Sequence, residues 1–497
     1  MTQPGQQVAG QSRLRINAIA QQSSLSRSSM PDPQVALVHS SQAVAVQVSQ
    51  DFGHLVQGCS QTVLQPKDGM ELAALLQTAN RDGIPITVRG RGRSQSGQAV
   101  SVKGVILETS GLKSIQVNLA RTPSTGLQAS RTVTCGSGAT WREVLAICQP
   151  TGYLPYVMPL NLDLTVGGTL SAGGFSANSH RYGTAIAHVQ HLEVVTGAGE
   201  RMTCSAESRP EVFHAVLGGL GRCGIIASAT LALRPFKAHV RTYYLRYEEM
   251  EPWLVDQQRL AKISSHDSAK VAYSKVDYLE GFCASSIQGL RKTDQGRRPF
   301  VHWQYGLQVG VEFDPSRPPQ DAEILEGLHY RQLLLTEEDE TVAYAARYDA
   351  RFRAMRQSGA WELAHPWFEA LLPVAKAQEF ITQALELLPF YFGDGHRVLM
   401  LAETETPELF MRPQSPAVIF AVLPTGIPAD QVPEALKVLA ELDKRLVQVG
   451  GKRYLSGWLG TMTPQSWQTH FGAQYPHWLE LKKNLDPNQV LRSALFP

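Results

Sequence analysis

Residues 90–98 read GRGRSQSGQ, and they directly follow the strand-like run IPITVR at 84–89. Their three glycines let the backbone turn without side-chain obstruction, so its amide groups can point inward. A nest of amides of this kind can hold a pyrophosphate group. A second run, TVGGTLSAGG at 165–174, adds four glycines with Thr and Ser between them. Either run alone is equally typical of a plain turn between strands, but the two together favour a site for a large dinucleotide.

The sequence around these two runs alternates between strand and helix patterns. Asp68 is placed to cap a helix over 69–82, and Gly83 is placed to end it. A second amphipathic helix begins near Trp141, and the alternation continues as far as a proline that closes a long strand-like run. We therefore predict a first lobe over residues 51–236.

Beyond that point the composition shifts. Long charged stretches of helical pattern occur at 337–357 and 429–448, with β-like runs such as 302–313 between them. The predicted organisation is a flexible arm rich in Ser and Gln at 1–50, the first lobe at 51–236, an α+β second lobe at 237–450 and a C-terminal segment at 451–497 that returns to the first lobe.

Composition excludes several classes of function. The 497 residues include 46 Lys and Arg against 44 Asp and Glu, a net charge of +2, and this balance gives no electrostatic footprint for nucleic acid or an anionic membrane. No stretch reaches the roughly 18 apolar residues of a membrane span. The six cysteines lack metal-site spacing, so we expect buried, reduced thiols and no metal. Without the apolar core of a secretory signal, the chain is predicted to be cytoplasmic.

A third glycine-rich run, GLGRCG at 219–224, matches the Rossmann fingerprint literally. That fingerprint requires a strand before the turn and a helix after it. Here a helical pattern precedes the run and a strand-like pattern follows it. We therefore interpret the run as a tight connection from helix to strand, and not as an NAD site.

Taken together, these motifs carry a resemblance. The two glycine-rich runs, SHRYG at 179–183, VVTGAGE at 194–200 and the run at 219–224 resemble the PCMH-type FAD-binding lobe of the vanillyl-alcohol-oxidase superfamily, and in particular its cytokinin dehydrogenase branch. VDYLEGF at 276–282, HPWFEALLP at 365–373 and KRYL at 452–455 look like later motifs of that branch. The resemblance implies an α+β protein with a two-lobed FAD-binding domain and an α+β substrate-binding cap domain.

The resemblance also implies a cofactor and a set of residues around it. The protein would bind FAD and pass a hydride from a small-molecule substrate to the flavin, with oxygen or another acceptor taking the electrons. Trp367 would line the substrate pocket, and Asp163 is a further candidate for substrate binding. The predicted cofactor-binding residues are Gly90, Arg91, Gly92, Arg93, Ser94, Gln98, Thr165, Gly167, Gly168, Ser171, Gly174, Phe175, Gly224, Ile225 and Tyr454.

Two departures from the family pattern bear on the chemistry. The family histidine that is covalently joined to the flavin is replaced by Arg93, and residues 160–164 contain no cysteine that could serve instead, so we expect non-covalent FAD. A cationic Arg93 beside the ring would stabilise the reduced, anionic flavin. The family's catalytic aspartate falls on Leu160, which cannot accept a proton.

Three residues remain as catalytic candidates: Glu280, Arg93 and Tyr454. Glu280 falls on the family's active-site glutamate, and a carboxylate near an apolar flavin pocket would have a raised pKa and act as acid or base. The alternation in VDYLEGF places Val276, Tyr278 and Glu280 on one face of a strand, which predicts an inward carboxylate. Arg93 or Tyr454 would manage the proton if Glu280 did not.

Three functions stay open at this point. The first is an FAD-dependent oxidoreductase of secondary metabolism that oxidises an alcohol or amine, or carries out an oxidative decarboxylation. The second is a cytokinin dehydrogenase that cleaves N6-substituted adenines, with Glu280 or Asp163 as its base. The third is a flavin-binding protein without turnover.

Overall fold

The protein is described by a computed structural model that covers residues 37–38, 48–59, 62–119, 131–263, 276–294, 296–388, 392–393, 395–402, 416–460 and 462–496. Most of the predicted N-terminal arm lies outside the described residues. Helices and strands are mixed along the chain, as the predicted α+β class requires, and the strands form three sheets.

The first sheet carries the first glycine-rich run at the end of one of its strands. Its strands have the order β1-β2-β4-β3, and β4 pairs in parallel with both of its neighbours. Asp68 accepts hydrogen bonds from two backbone amides of helix α1, and Gly83 ends that helix at φ 64°, so both predicted helix ends are confirmed. The elements are β1 Leu37–Val38, β2 Val63–Leu64, α1 Gly69–Asp82, β3 Ile86–Arg89 and β4 Val105–Glu108.

The second sheet is antiparallel and has the order β5-β6-β10-β8-β9, with β7 pairing to β10. Its strands are β5 Ile115–Asn118, β6 Thr132–Gly136, β7 Tyr153–Pro155, β8 Val189–Val195, β9 Arg201–Cys204 and β10 Ile225–Pro235. Its helices are α2 Trp141–Cys148, α3 Val166–Ala172, α4 Ser179–Tyr182 and α5 Pro210–Val216. Helix α3 lies inside the second glycine-rich run, which was expected to be a loop, because Thr165 caps it by accepting the amide of Gly168.

The third sheet is the largest, with eight antiparallel strands in the order β14-β11-β13-β12-β16-β17-β15-β18. The strands are β11 His239–Tyr247, β12 Tyr278–Thr293, β13 Gly296–Phe313, β14 Gln332–Glu340, β15 Phe368–Pro373, β16 His396–Leu401, β17 Ala417–Val422 and β18 Lys452–Arg453. The helices that follow α5 are α6 Met250–Ile263, α7 Asp321–Leu325, α8 Thr341–Ala345, α9 Asp349–Gln357, α10 Ala377–Leu387, α11 Val432–Gln448, α12 Pro464–Phe471 and α13 Tyr475–Leu485.

One long helical prediction is wrong in part. The stretch 337–357 begins as the end of β14, which pairs with β11, and becomes helical only from Thr341. Every residue of this edge strand is exposed, so it shows none of the apolar alternation that identifies a half-buried strand. Pairing with β11 therefore overrides a sequence pattern that reads as helix.

The C-terminal segment closes the molecule against the first sheet. The amide of Ile86 donates to the carbonyl of Val490, and the amide of Arg492 donates back to the carbonyl of Ile86. Val490 and Leu491 are buried in the same core cluster as Ile86 and Leu107. The end of the chain is thus part of the core beneath the first glycine-rich run.

Within the described ranges, none of the helices combines the length and the apolar character needed to cross a membrane. The same residues contain no cluster of three or more His, Cys, Asp or Glu that could hold a metal ion. All six cysteines are free, and five of them are buried.

Candidate active site

A large cavity lies where the glycine-rich segments meet the third sheet and helix α9. One part of its wall consists of residues from 88–99, 159–175 and 220–226. Another part is formed by side chains from the later portion of the chain, which include Tyr348, Arg351, Phe352, Trp361, Trp367, Glu369, Arg397, Leu399, Leu423 and Tyr454. Cofactor and substrate sites commonly form between lobes in this way.

Close contact between the two glycine-rich runs shapes the floor of the cavity. A Cβ atom added at Gly90 would lie 2.3 Å from the hydroxyl oxygen of Thr165, so only glycine allows the two runs to approach each other this closely. Gly174 has a φ of 76°, a conformation that side chains other than glycine rarely adopt. Backbone atoms therefore form much of the surface on this side.

A buried carboxylate holds the first run in place. One oxygen of Asp51 accepts the Ser94 hydroxyl at 3.0 Å and the Gly97 amide at 2.8 Å. Burial raises the pKa of Asp51 to about 6, although these hydrogen bonds act in the opposite direction. The side-chain amide of Gln98 donates to the carbonyl of Leu455 at 2.8 Å, which ties the C-terminal segment to the same run.

Tyr454, the residue before Leu455, lines the cavity. Its hydroxyl accepts the backbone amide of Gly174 at 2.9 Å, and its ring meets Phe175 edge-on, with centroids 4.7 Å apart. The side chain thus links the C-terminal segment to the end of the second glycine-rich run.

Comparison with known proteins gives this cavity a chemical context. Residues 60–205, which contain both glycine-rich runs, match the family described as FAD binding domain. The chain is 28% identical to an uncharacterized oxidoreductase, ORF5 in the fasciation locus of Rhodococcoides fascians, over 89% of this chain and 94% of that protein. It is 26% identical to cytokinin dehydrogenase 1 of Arabidopsis thaliana over 89% and 80% of the two chains, and 28% identical to cytokinin dehydrogenase 5 of Oryza sativa over 90% and 89%.

The chain contains an FAD binding domain and is an FAD-dependent oxidoreductase. It is similar to the cytokinin dehydrogenases, it is an enzyme, and its cofactor is FAD. The resemblance and the cofactor expected from the motifs are therefore confirmed.

The cavity of this oxidoreductase fits such a cofactor. A Cβ atom added at Gly221, which lines the cavity, would meet no protein atom closer than 4.0 Å, so the missing side chain leaves room for a ligand. The structure brings together at the cavity wall all fifteen residues that were predicted to contact the cofactor. Their individual roles in binding FAD stay predictions.

Arg93 also lines the cavity, and none of the described carboxylates forms a salt bridge with it. Its guanidinium lies 4.5 Å from the centroid of the Trp361 ring, and its Nε has no hydrogen-bond partner within the described residues. Burial, followed by the charge of Arg356, lowers the pKa of Arg93 to about 10, so the group stays cationic at neutral pH. This is compatible with the predicted role beside a negatively charged ring.

Glu280 differs from the expectation. It is 1% exposed, it is not part of the cavity wall, and it accepts hydrogen bonds from Arg397 at 2.5 Å, Tyr348 at 2.5 Å and Arg347 at 3.2 Å. Burial alone would raise the pKa of Glu280, but the charge of Arg397 and its other partners outweigh burial and hold it below its usual range. The expected raised pKa is therefore wrong. Its partners Arg397 and Tyr348 face the cavity, so Glu280 reaches the site through them.

The predicted inward carboxylate of Glu280 is indeed buried, but alternation along the strand does not by itself establish this. Leu279, on the other face of β12, is as buried as Glu280 and Val276, so alternation does not identify a single inward face here. The strand is covered on both sides at this point.

The other carboxylate considered, Asp163, is not brought to the cavity. It pairs with Arg142 at 2.9 Å, its side chain is 42% exposed, and Arg142 also pairs with Asp349. Leu160, in contrast, does line the cavity, so an apolar side chain stands where the family pattern has its aspartate. Trp367 lines it as well, with its indole N–H donating to the carbonyl of Pro424 at 2.9 Å.

Sequence reasoning missed Glu369, on strand β15. It is the one acidic side chain among the described residues that line the cavity, and it is 8% exposed. Burial raises the pKa of Glu369 to about 8, although the charges of Arg453 and Arg397 act in the opposite direction. A signal for it existed, because Glu369 lies two residues after Trp367 and a strand places such residues on one face.

Proposed function

We propose that this oxidoreductase oxidises a small organic substrate by hydride transfer to non-covalently bound FAD. The observation that carries the proposal is the cavity, which joins the glycine-rich segments of the FAD binding domain to a wall in which Glu369 is the one buried carboxyl group that the described residues supply. When bound, FAD supplies the acceptor for the hydride. Oxidation of an alcohol or amine, or an oxidative decarboxylation, in secondary metabolism fits this site.

In this proposal Glu369 handles the substrate proton. As a C–H bond gives up its hydrogen with both electrons, the neighbouring O–H or N–H loses its proton to the Glu369 carboxylate, and a C=O or C=N bond forms. Oxygen or another acceptor later takes the two electrons. A carboxyl whose pKa is near 8 is well suited to this exchange, because a general base works best with a pKa close to the working pH.

Glu280, Arg397 and Tyr348 support the wall against which the substrate lies. Glu280 pairs with both Arg397 and Arg347 and accepts the hydroxyl of Tyr348, and so fixes the two cavity-facing side chains that it binds, Arg397 and Tyr348. In this proposal Glu280 is a positioning residue, whereas Arg93 contributes positive charge near the flavin.

The second candidate is a cytokinin dehydrogenase. It is favoured by the names of the similar plant proteins, and it is opposed by Leu160, which cannot bind or deprotonate a substrate amine. We expect turnover of isopentenyladenine to be weak or absent, and Leu160→Asp to raise any trace activity. Brisk turnover by the wild-type protein would reverse the order of the two candidates.

The experiment that tests the main proposal is anaerobic mixing of the FAD-loaded protein with panels of alcohols, amines and carboxylic acids. Loss of oxidised-flavin absorbance with at least one compound, and formation of the matching carbonyl or imine product, is the expected result. A flavin that no member of the panels reduces, while dithionite still does, would contradict the proposal.

We further expect the FAD to be released when the protein is denatured by acid or heat, because Arg93 cannot form the covalent link. Mass spectrometry of the supernatant should find intact FAD, and the precipitated chain should be colourless. Arg93→Ala should weaken FAD binding or lower the flavin potential. Chromophore that stays with the precipitate, or an Ala variant with unchanged affinity and potential, would contradict this prediction.

A further inference from the structure

The wall of the cavity has an excess of positive charge. In the part of the chain that the structure describes, four arginines line it, namely Arg91, Arg93, Arg351 and Arg397, against one carboxyl group, that of Glu369. With its pKa raised to about 8, Glu369 is mostly uncharged at neutral pH. In the proposed function the two phosphates of FAD lie with the glycine-rich segments, so they do not supply negative charge to Arg351 and Arg397, which come from the later portion of the chain.

Of Arg351 and Arg397, the two lining arginines from the later portion of the chain, Arg397 already has a carboxylate partner in Glu280. Arg351, on helix α9, has none among the described residues: one of its terminal nitrogens donates to the carbonyl of Leu423 at 2.6 Å, and its buried Nε has no hydrogen-bond partner. Burial, followed by the charge of Arg397, lowers the pKa of Arg351 to about 10, so it stays cationic.

The buried arginines nearby show what such a group normally requires. Arg347 pairs with Glu280, and Arg453 pairs with Asp443 at 2.9 Å. Leaving a guanidinium buried without an anion is costly, and its fork of N–H groups matches the two oxygens of a carboxylate. Arg351 therefore lacks the carboxylate partner that the neighbouring arginines have, and a bound organic anion would supply it.

The other side chains of the cavity wall indicate that the rest of the bound anion is apolar. Phe352, the neighbour of Arg351, lies with Trp361 and Trp367 around the same cavity, and Leu160 adds a further apolar surface. Flat aromatic or other apolar groups gain from burial against such rings. No second acidic side chain from the described residues faces this part of the wall to bind a substrate amine.

We propose that the substrate is a carboxylic acid with a flat apolar body, and that Arg351 binds its carboxylate while Trp361 and Trp367 enclose the body. This inference rests on the proposed function for the presence of a substrate, and it names the chemical class of that substrate. Arg351 contacts the ligand directly and fixes its orientation.

The test is a titration of the FAD-loaded protein with benzoate, followed by the change in the oxidised-flavin spectrum. Benzamide and benzylamine, which share the ring but not the negative charge, serve as comparison ligands. We expect benzoate to bind more tightly than either. Arg351→Gln should weaken benzoate binding by about 10-fold to 100-fold, the cost of losing a charge-assisted hydrogen-bonded pair, and leave benzamide binding nearly unchanged.

Arg353→Gln is the matched control, because Arg353 lies on the same helix and is exposed to solvent outside the cavity wall. It should bind benzoate as the wild-type protein does, and Arg351→Lys should recover part of the affinity that Arg351→Gln loses. Equal affinity of the wild-type protein for benzoate and benzamide would overturn the proposal, even if the Gln variant failed to fold. Benzoate binding that Arg351→Gln leaves intact would do the same.

The failure of this inference and that of the proposed function are distinguishable. Benzoate titration requires only bound FAD and no turnover. Flavin reduction by an uncharged alcohol or amine without any preference for benzoate would uphold the oxidoreductase and reject the anion site.

Discussion

Glu280→Gln should lower the free energy of unfolding of the FAD-loaded protein by about 3–5 kcal/mol, the usual cost of removing one partner from a buried ion pair. The substitution keeps the shape of the side chain but leaves the cations Arg397 and Arg347 without their carboxylate. Urea unfolding at neutral pH measures the loss. Because the pKa of Glu280 is lowered, its contribution is complete above the pKa of an ordinary glutamate and fades as the pH falls through the lowered value, so the two proteins should converge in acid.

Glu338 provides the matched control. It also pairs with an arginine of the third sheet, Arg241, but its side chain is 47% exposed, so Glu338→Gln should cost about 0–1 kcal/mol. Equal losses of unfolding free energy in the two variants would show that burial does not make the ion pair at Glu280 more important than an exposed one. A Glu280→Gln variant of wild-type stability whose flavin reduction falls by about 100-fold or more would instead restore the catalytic base inferred from the sequence.

Glu369→Gln should slow flavin reduction by a substrate alcohol or amine by about 100-fold or more, while FAD binding survives. A base must be ionised to accept a proton, so the wild-type rate should rise with pH through about 8 and level off above it. The Gln variant should lose that rise. Stopped-flow absorbance under anaerobic conditions, measured from pH 6 to pH 10, follows both effects.

The control for Glu369 is Glu379→Gln, which removes an exposed carboxylate that pairs with Lys376 on the surface of α10. It should keep the full rate and the rise near pH 8. If Glu369→Gln reduced its flavin at the wild-type rate with an unchanged pH profile, another group would take the proton, and Arg93 and Tyr454 are the remaining candidates from the sequence.

The cavity floor was predictable from the sequence because certain backbone conformations and close approaches allow only glycine. The close approach at Gly90 and the positive φ at Gly174 each require glycine, so the glycine pattern alone indicates where backbone lines a ligand site. The end of helix α1 was predictable for the same reason, through Asp68 and Gly83.

The wall contributed by the later part of the chain was much less predictable. The sequence does not distinguish Arg351 from Arg353 and Arg356, since all three lie in one charged helical stretch. The contact between Arg351 and the carbonyl of Leu423 depends on tertiary packing. Glu280 was recognised as buried, but its partners Arg397 and Arg347 lie 117 and 67 residues away, so the direction of its pKa depends on tertiary contacts.

The contact between the C-terminal segment and the first glycine-rich run has a consequence for biosynthesis. Gln98 binds the carbonyl of Leu455, and Ile86 is covered by residues that are made about 400 positions later. A nascent chain therefore cannot finish the floor of its cofactor cavity until residues 490–492 have left the ribosome. Chains that stop short of these residues have no finished cavity floor to hold the flavin.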